Sequence, residues 1–184
     1  MSWSPDGRVL AFVSVSPTTA NDIWTVGRGD NGKAQPFLRT PFREGAPAIS
    51  PDGRWVAYAS DRSGRTEVYL RPFSGPGEEW TVSSEGGNGP MWARASGQLF
   101  YRQGDGMMAA DVALGPPAVV GKPRQLFERS YRRSPGFWAN YDVSADGRRF
   151  LMVKNIDEAV APTQINVVLN WHEELKRLVP SGRP

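Results

Sequence analysis

His172 is the only histidine in this 184-residue chain, and cysteine is absent. Those two counts remove whole classes of chemistry. Without cysteine there is no thiol nucleophile, no disulfide framework and no cysteine-ligated zinc, and one imidazole cannot make a multi-histidine metal site. A serine nucleophile would need a base, but no G-x-S-x-G elbow occurs and His172 has no evident serine partner. Asp6, Asp52, Asp61 and Asp146 recur in turns, yet the D-x-D-x-D-G spacing of a calcium loop is missing, so they read as turn caps. Gly86-Gly87-Asn88-Gly89 is glycine-rich, but neither a Lys-Ser/Thr ending nor a helix pattern follows it, which makes it a connection rather than a phosphate loop. No catalytic, metal-binding or cofactor-binding residue is assigned, and the expectation is a protein that is not an enzyme and needs no cofactor.

Binding chemistry is concentrated in one segment, Glu128 to Tyr141, which reads ERSYRRSPGFWANY. Arginine, tyrosine and tryptophan are the usual anchors of interfaces, and loops commonly carry them. Arg129, Tyr131, Arg132, Arg133 and Trp138 are therefore the candidate interaction surface. The competing reading is that Phe137 and Trp138 simply begin a strand. Elsewhere the charge is even: 22 basic residues, 18 of them arginine, against 19 acidic ones give a net +3. A nucleic-acid binder gathers its basic residues on a stripe, so no nucleic-acid partner is expected. No apolar run approaches the length of a membrane span, and the start MSWSPDGRVL lacks the regions of a signal peptide.

The elements that must position this segment follow from a repeat. Ser4-Pro5-Asp6-Gly7 leads into RVLAFVS, Ser50-Pro51-Asp52-Gly53 into RWVAYAS, Ala95-Ser96-Gly97 into QLFYRQ, and Ser144-Ala145-Asp146-Gly147 into RRFLMVK. The glycines stand 46, 44 and 50 residues apart, a period that signals a propeller or solenoid. Proline presets φ, Ser and Asp bond nearby backbone, and glycine takes positive φ, so each copy is a tight turn joining two antiparallel strands. The strands after the turns are apolar on both faces, as in a sheet packed between two others. Further strands are predicted at Asn21 to Val26, Thr66 to Phe73, Met107 to Val112 and Gln164 to Asn170. Short outer ones are predicted at Gln35 to Leu38, Glu79 to Ser83 and Arg124 to Phe127. The strands leading into the turns are Pro47 to Ile49, Pro90 to Ala93 and Asn140 to Val143. Four short strands per unit make a propeller blade.

The predicted fold is thus an all-β propeller segment of about four four-stranded blades, in units of about 1–43, 44–86, 87–134 and 135–170, with incomplete end blades. Trp3, Trp24, Trp55, Trp80 and Trp92 are expected between blades. Trp171 to Val179 carries apolar residues at helical spacing and is stopped by Pro180, so 171–184 is read as a short C-terminal helix and tail.

The copies WSPDGRVLAFVS and ISPDGRWVAYASDRSGRTEVYLRPF resemble the TolB-type, WD-repeat-like bacterial β-propeller repeat over about residues 2–170. The third copy departs from it, lacking both Pro and Asp. The ending INVVLNWHEELKRLVP resembles the C-terminus of propellers attached to bacterial membrane-bound serine/threonine protein kinases, although no kinase motif is present. That resemblance implies a non-enzymatic sensor or scaffold segment of a signalling protein, on the extracytoplasmic face of a bacterial membrane, binding a protein or small molecule. The alternatives are an accessory propeller of a prolyl-oligopeptidase-like serine peptidase and a TolB-like periplasmic envelope scaffold. Incomplete end blades imply a further partner, either the missing blades of a larger ring or a second copy, and the abrupt start favours the former.

Overall fold

The computed structural model describes residues 1–154 other than 19, 76, 116 and 135. The predicted strand at Gln164 to Asn170, the predicted C-terminal helix and His172 lie outside the described residues.

Three antiparallel sheets and a hairpin follow one another along the chain. The first blade is β1 (Ser2–Trp3), β2 (Val9–Ser16), β3 (Ala20–Gly27) and β4 (Gln35–Leu38), hydrogen-bonded in that order. The second is β5 (Glu44–Ile49), β6 (Trp55–Ser60), β7 (Glu67–Pro72) and β8 (Trp80–Thr81), again in chain order. The third contains β9 (Asn88–Trp92), β10 (Gln98–Gln103) and β11 (Gly106–Ala113). The short β12 (Val119–Val120) and β13 (Arg124–Glu128) both pair with β11. A hairpin of β14 (Tyr141–Val143) and β15 (Phe150–Met152) opens the fourth. The repeat thus yields a blade every 45 residues or so, as expected, and β1 has only two residues. The addition is β12, a two-residue strand where a loop is expected.

The repeated turns are built alike. Ser4, Ser50 and Ser144 donate to Asp6, Asp52 and Asp146 Oδ1 at 2.6, 2.5 and 2.5 Å. Each serine Oγ also accepts from the strand that follows, from Val9 N at 2.9, Trp55 N at 3.0 and Arg149 N at 2.9 Å. Gly7, Gly53 and Gly147 close the turns with φ of 66°, 73° and 72°, a region open to glycine at little cost. In the third copy the closing bond runs from Gly97 N back to Ala93 O at 3.3 Å, one residue longer than the others, which is the looser turn its missing Pro and Asp predict.

Blades stack face to face through apolar side chains. Ala11, Ile49 and Val56 form one cluster between the first and second blades, and Ile23, Tyr58 and Tyr69 another. Trp55, Ala57, Val68, Leu70, Trp92, Leu99 and Tyr101 fill the space between the second and third, where the Trp92 indole donates to Ala48 O at 3.0 Å. Phe100, Met107, Tyr141 and their neighbours join the third to the hairpin. Trp55, Trp80 and Trp92 are packed as expected. Trp3 is not: it is 55% exposed at the end of the two-residue β1, a strand too short to carry it under a neighbour.

Alternation along β2 and β3 sorts the first blade into two faces. Ala11 and Ile23 look toward the second blade and are fully buried, whereas Leu10, Phe12, Trp24 and Val26 share the opposite face and are only half-buried. At the equivalent positions of the second blade, Val56, Tyr58 and Tyr69 are 0–2% exposed because the first blade covers them.

Candidate functional site

Residues 129–140 connect the outer strand β13 to the inner strand β14, and they do not take the short way. Backbone bonds first pin the segment, from Arg129 N to Asp105 O at 3.1 Å and from Arg132 N to Val153 O at 2.9 Å. The segment then crosses the starts of β9 and β5. Asn88 Nδ2 donates to Gly136 O at 2.8 Å, and Phe137, 7% exposed, seats on Gly45 of the second blade. A Cβ on Gly45 would lie 2.7 Å from that of Phe137, so only glycine leaves room for the ring. The Arg43 guanidinium stands 5.0 Å from the Phe137 centroid, a cation–π contact. Gly89, at φ 59°, lets Ala139 approach where a Cβ would meet its Cα at 2.9 Å, and the Tyr141 hydroxyl donates to Gly89 O at 2.9 Å. Burial pushes the Tyr141 phenol upward, so it remains a donor. Both inner strands break register here, between Gly45 and Ala48 in β5 and opposite Phe100 and Arg102 in β9, and such bulges re-aim strand ends.

Anchored at those points, the segment walls a cleft of about 200 Å³ lined by Asn88, Arg102, Arg133, Ser134, Trp138 and Asn140, among others. Of the five residues singled out in the sequence, Arg133 and Trp138 line it together. Trp138 is 49% exposed. Tyr131 instead packs edge-on against Phe127 and lies 5.9 Å from the Arg102 guanidinium. Arg129 and Arg132 are exposed and are not among the lining residues. The competing reading, in which Phe137 and Trp138 begin a strand, does not hold: β14 starts at Tyr141. The site residues missed in the sequence are Arg102, Asp105 and Asn88. Arg102 sits in a strand pattern as one polar residue among apolar ones, and nothing local marks it.

Three buried carboxylates, Asp22, Glu44 and Glu67, stand at the same ends of the blades, and Asp22 pairs with Arg39 at 3.8 Å. Glu67 is fully engaged: Arg65 Nε reaches Oε1 at 2.6 Å, Gly86 N donates to Oε1 at 2.9 Å, and Ser83 Oγ donates to Oε2. It fastens β7 to the connection leading into β9. Glu44, 1% exposed, accepts from Thr40 Oγ1, while its Oε2 has no hydrogen-bond partner. Burial pushes its carboxyl up to about 7, and the neighbouring Asp22 and Asp61 charges add to the rise. Among the described residues no group of three or more His, Asp or Glu is placed to hold a metal ion.

No family model matches the chain. Its fold superposes on the crystal structure of TolB from Acinetobacter baumannii with a TM-score of 0.61 at 19% identity, covering 86% of this chain and 38% of that one. The chain is a β-propeller segment. Among curated sequences it is 33% identical over 82 residues to the Tol-Pal system protein TolB of Hydrogenovibrio crunogenus, 44% of this chain and 19% of that protein. It is 27% identical over 166 residues to tricorn protease homolog 1 of Streptomyces coelicolor, 80% of this chain and 15% of that protein. The chain therefore spans less than a fifth of the length of these two relatives. TolB-like propellers are its neighbours in both sequence and structure.

Proposed function

We propose that this chain is a non-enzymatic β-propeller segment that recognises a protein or small-molecule ligand at the cleft lined by Arg133 and Trp138. The observation that carries the reading is the crossing connection. The contacts of Phe137, Asn88, Gly89 and Tyr141 anchor it, and beside those anchors Trp138 and Arg133 stand exposed, available to a ligand. A display library of random peptides panned on the purified chain tests this. Enriched binders should lose affinity at least about tenfold on Trp138→Ala, with the melting temperature unchanged. Binders indifferent to Trp138, or turnover of peptidase, esterase or phosphatase substrates, would overturn it.

The favoured setting is the sensor or scaffold half of a bacterial signalling kinase, facing away from the cytoplasm. It rests on the resemblance of residues 165–180, which lie outside the described residues. Among the described residues no helix is long and apolar enough to cross a membrane. A second reading, the accessory propeller of a peptidase, is supported by the match to tricorn protease homolog 1 over 80% of the chain. A TolB-like envelope scaffold is the third. The coding sequence around this chain separates them: a kinase domain with a membrane helix, a hydrolase domain, or a secretion signal alone.

A further inference from the structure

We propose that the cleft lined by Arg102, Arg133 and Trp138 binds a carboxylate, carried by a peptide, between the Arg102 and Arg133 guanidinium groups, with Trp138 covering the adjoining apolar part. This deepens the recognition reading and rests on it.

Arg102 is 9% exposed and lines the cleft. Its Nη2 donates to Gly104 O at 3.1 Å, but its Nε and Nη1 are buried with no hydrogen-bond partner. Buried donors left unmade are costly, and a buried cation more so, which makes such a group a strong indicator of something that completes it. The nearby counter-charge is already shared. Asp105 Oδ1 lies 3.9 Å from Arg102 Nη2 and 3.1 Å from Arg133 Nη2, and it also accepts from Arg133 Nε at 3.1 Å. Two guanidinium groups face one carboxylate, and the lining residues include no acid. One positive charge is left over in a partly desolvated site, where an ion pair is stronger than in water.

A single excess charge matches a carboxylate rather than a phosphate dianion. The amides at the rim do not compete for it, because Asn88 Nδ2 is held by Gly136 O and Asn140 Nδ2 by Arg132 O. Arginine suits planar carboxylates by geometry as well as charge. The half-exposed Trp138 ring supplies an apolar surface of the kind that anchors peptide residues.

The carboxylate has two sources, an acidic side chain or a chain terminus, and the probes separate them. The full chain is titrated with acetate, with a blocked tripeptide carrying a central glutamate, with its glutamine counterpart, and with the glutamine peptide bearing a free terminal carboxylate. Inorganic phosphate is the competing anion. Trp138 fluorescence and the nitrogen-15 resonance of Arg102 Nε report binding. Acetate should move the Arg102 resonance. At least one carboxylate peptide should bind about tenfold or more tighter than the blocked glutamine peptide, with the better one naming the source, and added salt should weaken it. Arg102→Gln and Arg133→Gln should each remove about tenfold or more. The Arg133 side chain is 67% exposed, so its variant keeps the test alive if Arg102→Gln fails to fold. Equal binding of the blocked glutamine peptide, an unmoved Arg102 resonance, indifference to Arg133→Gln, or phosphate binding tighter than acetate would each overturn the proposal. Peptides that bind through Trp138 regardless of charge would leave the recognition reading standing while this one falls. Carboxylate binding that survives Trp138→Ala would do the reverse.

Discussion

Glu44 titrates where a carboxylate ordinarily does not. Its ordinary value is 4.5, and in the folded chain it rises to about 7, with burial as the main cause and Asp22 and Asp61 as lesser ones. The folded state holds this proton more tightly than the unfolded state does. The stability it contributes is therefore complete below about pH 4.5 and is lost as pH rises through about 7. Unfolding free energies from urea titrations on both sides of that window should fall with rising pH, by roughly 1–3 kcal/mol from this residue. Glu44→Gln, which keeps the shape and never ionises, should flatten that part of the profile. An unchanged slope in the variant would show that the charge is compensated in the folded chain, for instance through Arg39 and Arg43, which stand on either side of Thr40. No local sequence signal distinguishes Glu44 from a surface glutamate. Its burial comes from contacts across blades, and Arg102 was hidden in the same way.

At the scale of elements, the turns were the most legible part of the chain, because their chemistry is local. Ser-Pro-Asp-Gly specifies its own hydrogen bonds within a few residues, and three copies form them almost identically. Each aspartate is held below its usual range. For Asp6 and Asp146 the serine hydroxyl is the main cause. For Asp52 partial burial opposes the shift, and the bonds from Ser50 and Arg54 outweigh it. Ser50 is fully buried and both donates and accepts. Ser50→Ala should cost about 1–3 kcal/mol, chiefly because it strands the buried Trp55 amide, while Asp52 keeps its bonds from Arg54. The same change at the less buried Ser144 should cost less, and chemical denaturation of the two variants checks the order. The path of residues 129–140 was legible only in composition. The residues that would bind were visible in the segment, but the seat of Phe137 on Gly45 joins positions far apart in the chain, and sequence spacing carries no trace of it.

For the molecule as a whole, the first blade leaves Leu10, Phe12, Trp24 and Val26 half-buried on a face whose counterpart in the second blade is fully covered. An apolar sheet face of this kind associates with whatever matches it, and the best match is another blade of the same repeat. The 20.3 kDa chain should therefore self-associate as its concentration rises, and Phe12→Lys together with Trp24→Lys should shift light scattering toward the monomer without lowering the melting temperature. A monodisperse monomer at every concentration would mean that the face is satisfied within the chain.

Repeat proteins behave to a first approximation as a row of units, each sensing only the next, so that they can melt from an end one unit at a time. The Phe137 seat breaks that rule, because a segment leaving the third blade is clasped by the second. Loosening any one of the second, third or fourth units costs contacts in the others, and the row acquires a block that opens together. Amide exchange should thus show the first blade exchanging ahead of a cooperative group running from β5 to β15. Gly45→Ala, by evicting Phe137, should split that group, so that β14 and β15 exchange early while β5 to β8 stay protected. A clasp that holds out a binding surface would then also set the order in which the blades come apart.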